Sequence, residues 1–175
     1  MPTPSSPASP AGAAADTAAL RTLALVGQSA SGKTSLVEAL LHKAGMIGAQ
    51  GSLERGSTVT DFDPLERKYQ HSLSSSVVHL RHRETRIHLI DTPGYPDFLG
   101  QSLPALEAVE TAAVVINAST GIETMSTRMM DWAKKRDLCR MIIVNKIDAE
   151  RVDLPGLVER IREAFGKECL PLNLP

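Results

Sequence analysis

The stretch "GQSASGKT", residues 27–34, decides the fold. It has the spacing GxxxxGK(S/T), in which glycines let the backbone N–H groups turn inward around a phosphate. It directly follows the apolar run "TLALV" at residues 22–26 and opens the helical pattern "KTSLVEALLHKA" at residues 33–44. A helix N-terminus adds partial positive charge at this point. The stretch therefore predicts a phosphate-binding loop between a strand and a helix, as in the P-loop NTPase fold.

Two side chains of this loop carry specific chemistry. Lys33 is placed to reach the outer phosphates, and the hydroxyl of Thr34 is placed to complete a Mg²⁺ shell whose other ligands are phosphate oxygens and water. We predict a nucleotide-binding loop made of Gly27, Gln28, Ser29, Ala30, Ser31, Gly32, Lys33, Thr34 and Ser35.

A second element, "DTPG" at residues 91–94, ends the third predicted strand. Asp91 is positioned to hold a Mg²⁺-bound water, and the amide of Gly94 to approach a γ-phosphate. Taken alone, Asp-Thr-Pro-Gly is equally the sequence of an ordinary turn. Its position in the chain, between the phosphate-binding loop and a third motif, favours the nucleotide-binding interpretation.

A third element, "NKID" at residues 145–148, follows the fifth predicted strand. A carboxylate at Asp148 can accept hydrogen bonds from N1–H and the exocyclic amine of guanine, whereas adenine has no such donor pair. The stem of Lys146 can cover the purine face, and Asn145 can brace the phosphate loop. All three elements end parallel strands, where open α/β sheets bind ligands. They predict a guanine nucleotide site.

The rest of the chain alternates short apolar runs with longer amphipathic ones, which predicts an α/β fold with a three-layer, mostly parallel sheet and one antiparallel hairpin at its edge. Residues 1–20, rich in Pro, Ala and Ser, are expected to be disordered, and residues 21–175 to form one domain. The stretch from Gly45 to Ser72 predicts a long functional or mobile loop. The predicted strands are 22–26, 75–80, 85–90, 112–118 and 140–145, and the predicted helices 33–44, 102–110, 125–137 and 154–165.

Composition restricts the possible partners and compartment. The chain has 175 residues, 42% of them apolar, and a net charge of -1, which suits one core and a monomer and gives no electrostatic basis for binding DNA or a membrane. Its longest apolar runs fall short of a membrane span, and the N-terminus lacks a signal-peptide layout. Cys139 and Cys169 are too few and too far apart for a disulfide framework. A reducing, cytoplasmic location is expected.

Other clusters have ordinary explanations. His79, His82 and His88 on the predicted hairpin, with His71 just before it, leave a metal site open, but interspersed arginines favour a solvated strand face. The turn "RHRETR" at residues 81–86 leaves an RNA contact open, although an exposed turn is the simpler interpretation. The helical spacing of Met125, Met129, Met130 and Trp132 predicts core packing.

The quoted motifs, with "GYPDF" at 94–98 and "VVINASTGIETMSTRMMDWAKK" at 114–135, resemble the nucleotide-binding domain of elongation factor G, a translational GTPase, from about Leu23 to Pro175. The resemblance implies GTP and GDP as ligands, Mg²⁺ as cofactor and the ribosome as partner of the full-length protein. In that family the domain continues to a sixth strand with a Ser-Ala loop that contacts the base. That last motif is missing here, so we expect a GTP-binding domain incomplete at its C-terminus.

Two positions depart from that family pattern. Where the family has Arg-Gly-Ile-Thr, this sequence has Tyr69-Gln70-His71-Ser72, so Ser72 takes the place of the threonine that caps Mg²⁺. Where the family has a histidine that positions the attacking water, this sequence has Tyr95, as in divergent elongation factor G-like paralogues. A phenol can aim a water but is not a strong base. By this resemblance the catalytic candidates are Tyr95, Lys33 and Gly94, and the metal candidates are Thr34, Ser72 and, through water, Asp91.

Three functions fit these motifs. The first is a GTP-hydrolysing switch acting on the ribosome, with switch loops at about Gly45–Ser72 and Asp91–Gln101. The second is a regulatory GDP/GTP-binding module with little or no hydrolysis, which Tyr95 would suit. The third, a P-loop ATPase or kinase, is disfavoured by "NKID".

Overall fold

The computed structural model describes residues 17–173 of the chain. Its centre is a five-stranded sheet in the order β2-β3-β1-β4-β5. All neighbouring strands are parallel except β2 and β3, which form an antiparallel hairpin at one edge. The strands are β1 (Leu20–Val26), β2 (Ser76–His82), β3 (Thr85–Asp91), β4 (Thr111–Asn117) and β5 (Cys139–Asn145). The predicted α/β architecture with one antiparallel edge pair is confirmed.

Helices cover both faces of the sheet and bury two separate apolar clusters. The helices are α1 (Lys33–Lys43), α2 (Pro64–Tyr69), α3 (Leu99–Glu107), α4 (Thr124–Lys135) and α5 (Leu154–Phe165). Successive residues of β4 alternate between the clusters: Val114 belongs to the one that includes α3, α4 and α5, and Val115 to the one that includes α1. This alternation follows from the two-residue period of a strand and makes the domain three-layered.

The core packing predicted for the methionines of α4 is confirmed. Met125, Met129 and Met130 are buried in the cluster under α4, and Trp132 packs against it from the rim. Because these side chains recur on one helical face, they fix α4 on the sheet.

The structure corrects three expectations. Residues 17–20, predicted to be disordered, are structured, since Thr17–Ala19 form a 3₁₀ turn and Leu20 begins β1 opposite Arg86; the prediction for the first sixteen residues lies outside the described part. The predicted loop 45–72 contains α2, and the predicted helix 102–110 begins earlier, at Leu99.

The missed helix α2 has a local cause that the sequence does contain. Asp63 is its N-cap and accepts a hydrogen bond from the amide of Leu65, while the side chain of Glu66 accepts one from the amide of Asp63. Pro64 occupies the first helical position, where no N–H is needed. This capping box makes a six-residue helix possible where apolar periodicity gives no signal.

The carboxyl ends of β1, β3, β4 and β5 meet at one edge of the sheet and bring the three motifs together. The loop after β3 is held there by two hydroxyls: Thr92 Oγ1 donates to Leu25 O at 2.7 Å, and Ser102 Oγ donates to Pro93 O at 2.9 Å. No helix within residues 17–173 is long and apolar enough to cross a bilayer.

Candidate nucleotide site

The phosphate-binding loop is a tight turn between β1 and α1. Gly32 precedes α1 with φ +95°, and a Cβ there would lie 2.3 Å from Nδ2 of Asn145. Only glycine satisfies both the left-handed backbone and this close approach. The side-chain amide Nδ2 of Asn145 donates to Ser31 O at 2.9 Å, so the last motif braces the first.

The side chain of Lys33 folds back into the loop that precedes this residue in the sequence. Its Nζ donates to Gly27 O at 3.1 Å and to Gln28 O at 2.9 Å. Burial lowers the pKa of Lys33 to about 8, and the nearby charge of Asp91 partly opposes this shift. The ammonium is therefore held by neutral carbonyls and gains from any anion that reaches the loop.

Asp91 lies at the centre of a buried network of oxygen atoms. Its Oδ2 accepts hydrogen bonds from Thr34 Oγ1 at 2.7 Å and from Thr60 Oγ1 at 3.0 Å. The Oγ of Ser72 lies 3.2 Å from Thr34 Oγ1 and donates to Asp61 Oδ1 at 2.6 Å. The structure thus brings together the three predicted metal residues, Thr34, Ser72 and Asp91.

Burial dominates the electrostatics of Asp91. It raises the pKa of Asp91 to about 6, against the opposing effects of the Thr34 hydroxyl and the Lys33 charge. Oδ1 of Asp91 is buried and has no hydrogen-bond partner among the described residues. An unpaired carboxylate oxygen beside two hydroxyls is an all-oxygen donor set that suits a hard cation such as Mg²⁺. The residues present therefore fit the cofactor.

Gly94 packs directly on the phosphate-binding loop. A Cβ at this position would lie 2.5 Å from both Lys33 Nζ and the amide nitrogen of Ser29. A side chain would therefore push the loop after β3 away from the phosphate site. This close approach places the Gly94 backbone beside Lys33 and Ser29, two of the residues predicted to bind phosphate.

The motif predicted to recognise the base, residues 145–148, reaches the cleft through Lys146. Lys146 has φ +59°, is exposed, and lines the same cleft of about 250 Å³ as Lys33, Thr34 and Gly94. Asp148 is exposed just beyond it. An open carboxylate at this place is free to accept hydrogen bonds from a base.

Two buried carboxylates that the sequence analysis did not single out hold the segment before β2. Glu38 of α1 accepts hydrogen bonds from the amides of Gly51 at 2.9 Å and Val59 at 2.5 Å. Glu66 of α2 accepts from the amides of Leu73 at 2.9 Å and Ser74 at 3.2 Å. Both side chains are buried, and backbone N–H groups satisfy them in place of cations.

Tyr95 lines the cleft, is partly exposed, and packs against the ring of His71. The ring of His71 lies 4.8 Å from that of Tyr95, tilted by 55°. His71 also lies 6.1 Å from Tyr69 and 6.3 Å from Phe98, so it is the centre of an aromatic group. His71, Tyr95 and Ser72 all line the nucleotide cleft.

Some functional side chains gave no signal in the sequence. Asp61 and Thr60 complete the oxygen network, yet they come from an aperiodic stretch far before Asp91 in the chain and meet it only through the fold. The hairpin histidines remain apart from the site: His79 and His88 face each other at 6.1 Å, and residues 17–173 hold no group of three or more His, Cys, Asp or Glu residues that could hold a metal ion.

Comparison with known proteins agrees with this geometry. The model of the elongation factor Tu GTP binding domain matches residues 18–172. The chain belongs to this family of GTP-binding domains. The GTP-binding domain is 36% identical over 172 residues to an elongation factor G-like protein of Mycobacterium tuberculosis, covering 96% of this chain and 24% of that protein. It is 32% identical to mitochondrial ribosome-releasing factor 2 of Culex quinquefasciatus, covering 89% of this chain and 21% of that protein.

A solved structure shows the same fold. A crystal structure of a Thermus thermophilus protein superposes with a TM-score of 0.82 at 39% identity, covering 85% of this chain and 22% of that one. The GTP-binding domain therefore spans about a quarter of the length of the relatives it matches. Its fold and family, that of a translational GTPase of the elongation factor G type, agree with what the motifs predicted.

Proposed function

We propose that this domain binds GTP and GDP with Mg²⁺, hydrolyses GTP, and acts as the nucleotide-dependent switch of a translation factor that works on the ribosome in the cytoplasm. The observation that carries the proposal is the convergence of Lys33, the Thr34–Asp91 hydroxyl–carboxylate pair and Gly94 on one cleft, with Lys146 along its wall. The ribosome as partner rests on relatives named as elongation and ribosome-releasing factors.

The residues divide the reaction between binding and orientation. The loop amides of residues 27–35 and Lys33 would bind the β- and γ-phosphates, Asn145 would hold that loop in shape, and Asp148 would select guanine. Mg²⁺, held by Thr34, Ser72 and, through water, Asp91, would neutralise charge on the phosphates. The Gly94 amide would face the γ-phosphate, and Tyr95 would aim the attacking water. The new bond joins the water oxygen to the γ-phosphorus, the bond to the β-phosphate oxygen breaks, and the water's proton leaves on inorganic phosphate.

A second candidate is a regulatory module that exchanges GDP and GTP with little or no hydrolysis. The observation that favours it is Tyr95 itself, a residue that is 41% exposed and whose phenol cannot act as a strong base. In that case the loop from Gly94 to Phe98 senses the nucleotide rather than activating water.

Titration of GDP, GTP and ADP against the chain in Mg²⁺, followed by single-turnover GTP hydrolysis with and without ribosomes, separates these functions. We expect guanine-specific binding and slow turnover that ribosomes accelerate in the full-length protein. Equal affinity for ADP would contradict the site. Tight GTP binding without turnover, ribosomes included, would favour the regulatory module.

A further inference from the structure

The hairpin of β2 and β3 has one apolar face and one basic face. Leu80 and Leu89 are buried in the apolar cluster that includes α1. Because side chains alternate along a strand, the other face carries four basic residues, His79, Arg81, Arg86 and His88. We call these four residues the basic face. Three of them are exposed, and His88 is partly exposed.

The basic face consists of two cross-strand pairs of like residues. Arg81 lies directly opposite Arg86, and His79 lies opposite His88 with the ring centroids 6.1 Å apart. Like charges in directly opposed positions of a sheet destabilise the pairing. Neither arginine forms an ion pair within residues 17–173, so no acid of the described part offsets this repulsion. A bound anion would offset it.

Protection of the sheet edge does not account for the basic face. Charged side chains on an edge strand commonly prevent pairing with another chain, and this explains Arg81 on β2. Arg86 and His88 belong to β3, which pairs with β2 on one side and with β1 on the other. Basic side chains on an interior strand therefore need another explanation.

Positive charge is concentrated at this end of the molecule. Residues 79–88 contain three arginines and three histidines against one glutamate, whereas the whole chain has a net charge of -1. Arg83 adds an exposed guanidinium in the turn between the strands. Glu110, an acid beside the neighbouring strand β1, accepts a hydrogen bond from the amide of Thr22 at 3.3 Å. A local excess of one sign attracts a partner of the opposite sign even when the net charge is small.

We propose that the basic face binds the phosphate backbone of RNA. The guanidinium groups of Arg81 and Arg86 can each present a planar pair of donors to phosphate oxygens, and the imidazoles can add N–H donors. RNA is preferred to an acidic protein segment because the partner proposed above, the ribosome, is rich in RNA, and this choice alone rests on the proposed function. Backbone contacts position a partner without reading its sequence.

This surface is separate from the nucleotide site. Arg86 is near the start of β3, whereas Asp91 at the end of the same strand lies in the oxygen network of that site. RNA binding can therefore be measured without nucleotide and independently of GTP hydrolysis.

The probe is a fluorescein-labelled RNA duplex of about 20 base pairs, long enough to present two successive minor grooves. Fluorescence anisotropy of the nucleotide-free chain, between about 50 and about 200 mM KCl, gives the affinity and its dependence on salt. Unlabelled duplex and polyglutamate, at equal concentrations of negative charge, serve as competitors.

Three double variants separate the position of the charge from its amount. Arg81→Gln with Arg86→Gln removes both guanidinium charges of the basic face, and Arg81→Lys with Arg86→Lys keeps the charge. Arg140→Gln with Arg160→Gln, at exposed positions on β5 and α5, is the control with the same change in net charge. Circular dichroism verifies that each variant is folded.

We expect the glutamine pair on the basic face to weaken RNA binding by roughly 10-fold and to reduce the slope of log affinity against log salt by about two, one for each lost phosphate contact. Arg86→Gln alone should reduce the slope by about one, which keeps the test valid if the double variant unfolds. The lysine pair should retain the slope, and the control pair should bind as the unsubstituted chain does.

Equal RNA affinity of the glutamine pair and the control pair would overturn the proposal. Stronger displacement by polyglutamate than by unlabelled duplex would also overturn it and would assign the basic face to an acidic protein partner. Both outcomes leave the proposed hydrolysis intact. Conversely, RNA binding through the basic face in a chain that does not turn over GTP would remove the hydrolysis and leave this inference standing.

Discussion

At the scale of single residues, the site holds two buried ionisable groups, Asp91 and Lys33, in an environment that disfavours the charged form of each. Burial raises the pKa of Asp91 to about 6 and lowers that of Lys33 to about 8. Between pH 6 and 8 both groups are charged in the folded chain. Phosphates and Mg²⁺ would supply the opposite charges that each group lacks, so the site is held ready for ligand at some cost in stability.

The first prediction concerns the pH dependence of the nucleotide-free chain. The folded state prefers protonated Asp91, so this group's stabilising contribution is complete below the unfolded pKa of about 4 and is lost as pH rises through 6. Asp91→Asn should therefore be more stable than the unsubstituted chain above pH 6, with the gap growing between pH 4 and 6 to the order of 3 kcal/mol. Urea unfolding across this range measures the gap. The exposed Asp97→Asn is the control, and a constant gap would contradict the prediction.

The second prediction concerns the base. If Asp148 accepts two hydrogen bonds from guanine, Asp148→Asn should weaken GDP binding by roughly 1–3 kcal/mol and improve binding of the xanthine nucleotide. Isothermal titration with GDP and XDP measures both effects. The nearby Glu150→Gln should behave as the unsubstituted chain. An unchanged preference for GDP over XDP would place base selection elsewhere.

At the scale of elements, the segment of residues 51–59 is tied to α1 by the carboxylate of Glu38. Glu38 is fully buried and accepts hydrogen bonds from the amides of Gly51 and Val59. These bonds attach residues 51–59 to α1, the helix that carries Lys33 and Thr34. A buried carboxylate holding two backbone donors is a strong tether, because removing it leaves those donors unsatisfied.

The third prediction tests this tether. Glu38→Gln replaces one acceptor oxygen with a donor and should release one of the two amides, so that Gly51 or Val59 exchanges its amide hydrogen faster by at least about tenfold. Hydrogen exchange resolved by NMR measures this. Glu54→Gln, exposed on the same segment, is the control. Equal protection in Glu38→Gln and the unsubstituted chain would show that other contacts hold the segment.

The elements differ in how far sequence reveals them. The five strands, α1 and α5 were predictable because their apolar periods are clear and the phosphate loop fixes the register of β1 with α1. Helix α2 was not, since its stability comes from the Asp63–Glu66 cap rather than from an apolar face. The motif residues could be placed from spacing alone. Asp61, Thr60 and His71 could not, because they reach the site from an aperiodic segment whose path depends on two buried carboxylates, Glu38 and Glu66.

At the scale of the whole molecule, the sheet has two unlike edges. Strand β2 ends one edge in a charged hairpin, while β5 at the other pairs only with β4 within residues 17–173. Cys139, Arg140 and Met141 of β5 are exposed. A strand with one unpaired side can pair with another chain.

The fourth prediction follows from that edge. The chain should be monomeric when dilute and should self-associate as its concentration rises, and Met141→Lys should reduce this association by placing a charge on the β5 edge. Sedimentation velocity over a concentration series measures it. Val77→Lys, on the opposite edge, is the control and should change little. Association reduced equally by both substitutions would exclude β5 as the contact.

The hydrogen bond of 2.7 Å between Thr34 and Asp91 bears on the timing of nucleotide exchange. These two groups satisfy each other, and Lys33 Nζ donates to Gly27 O and Gln28 O. An incoming nucleotide must first break these bonds, so we expect association to be slower than diffusion. A partner that separates Asp91 from Thr34 would then raise the association rate of the nucleotide.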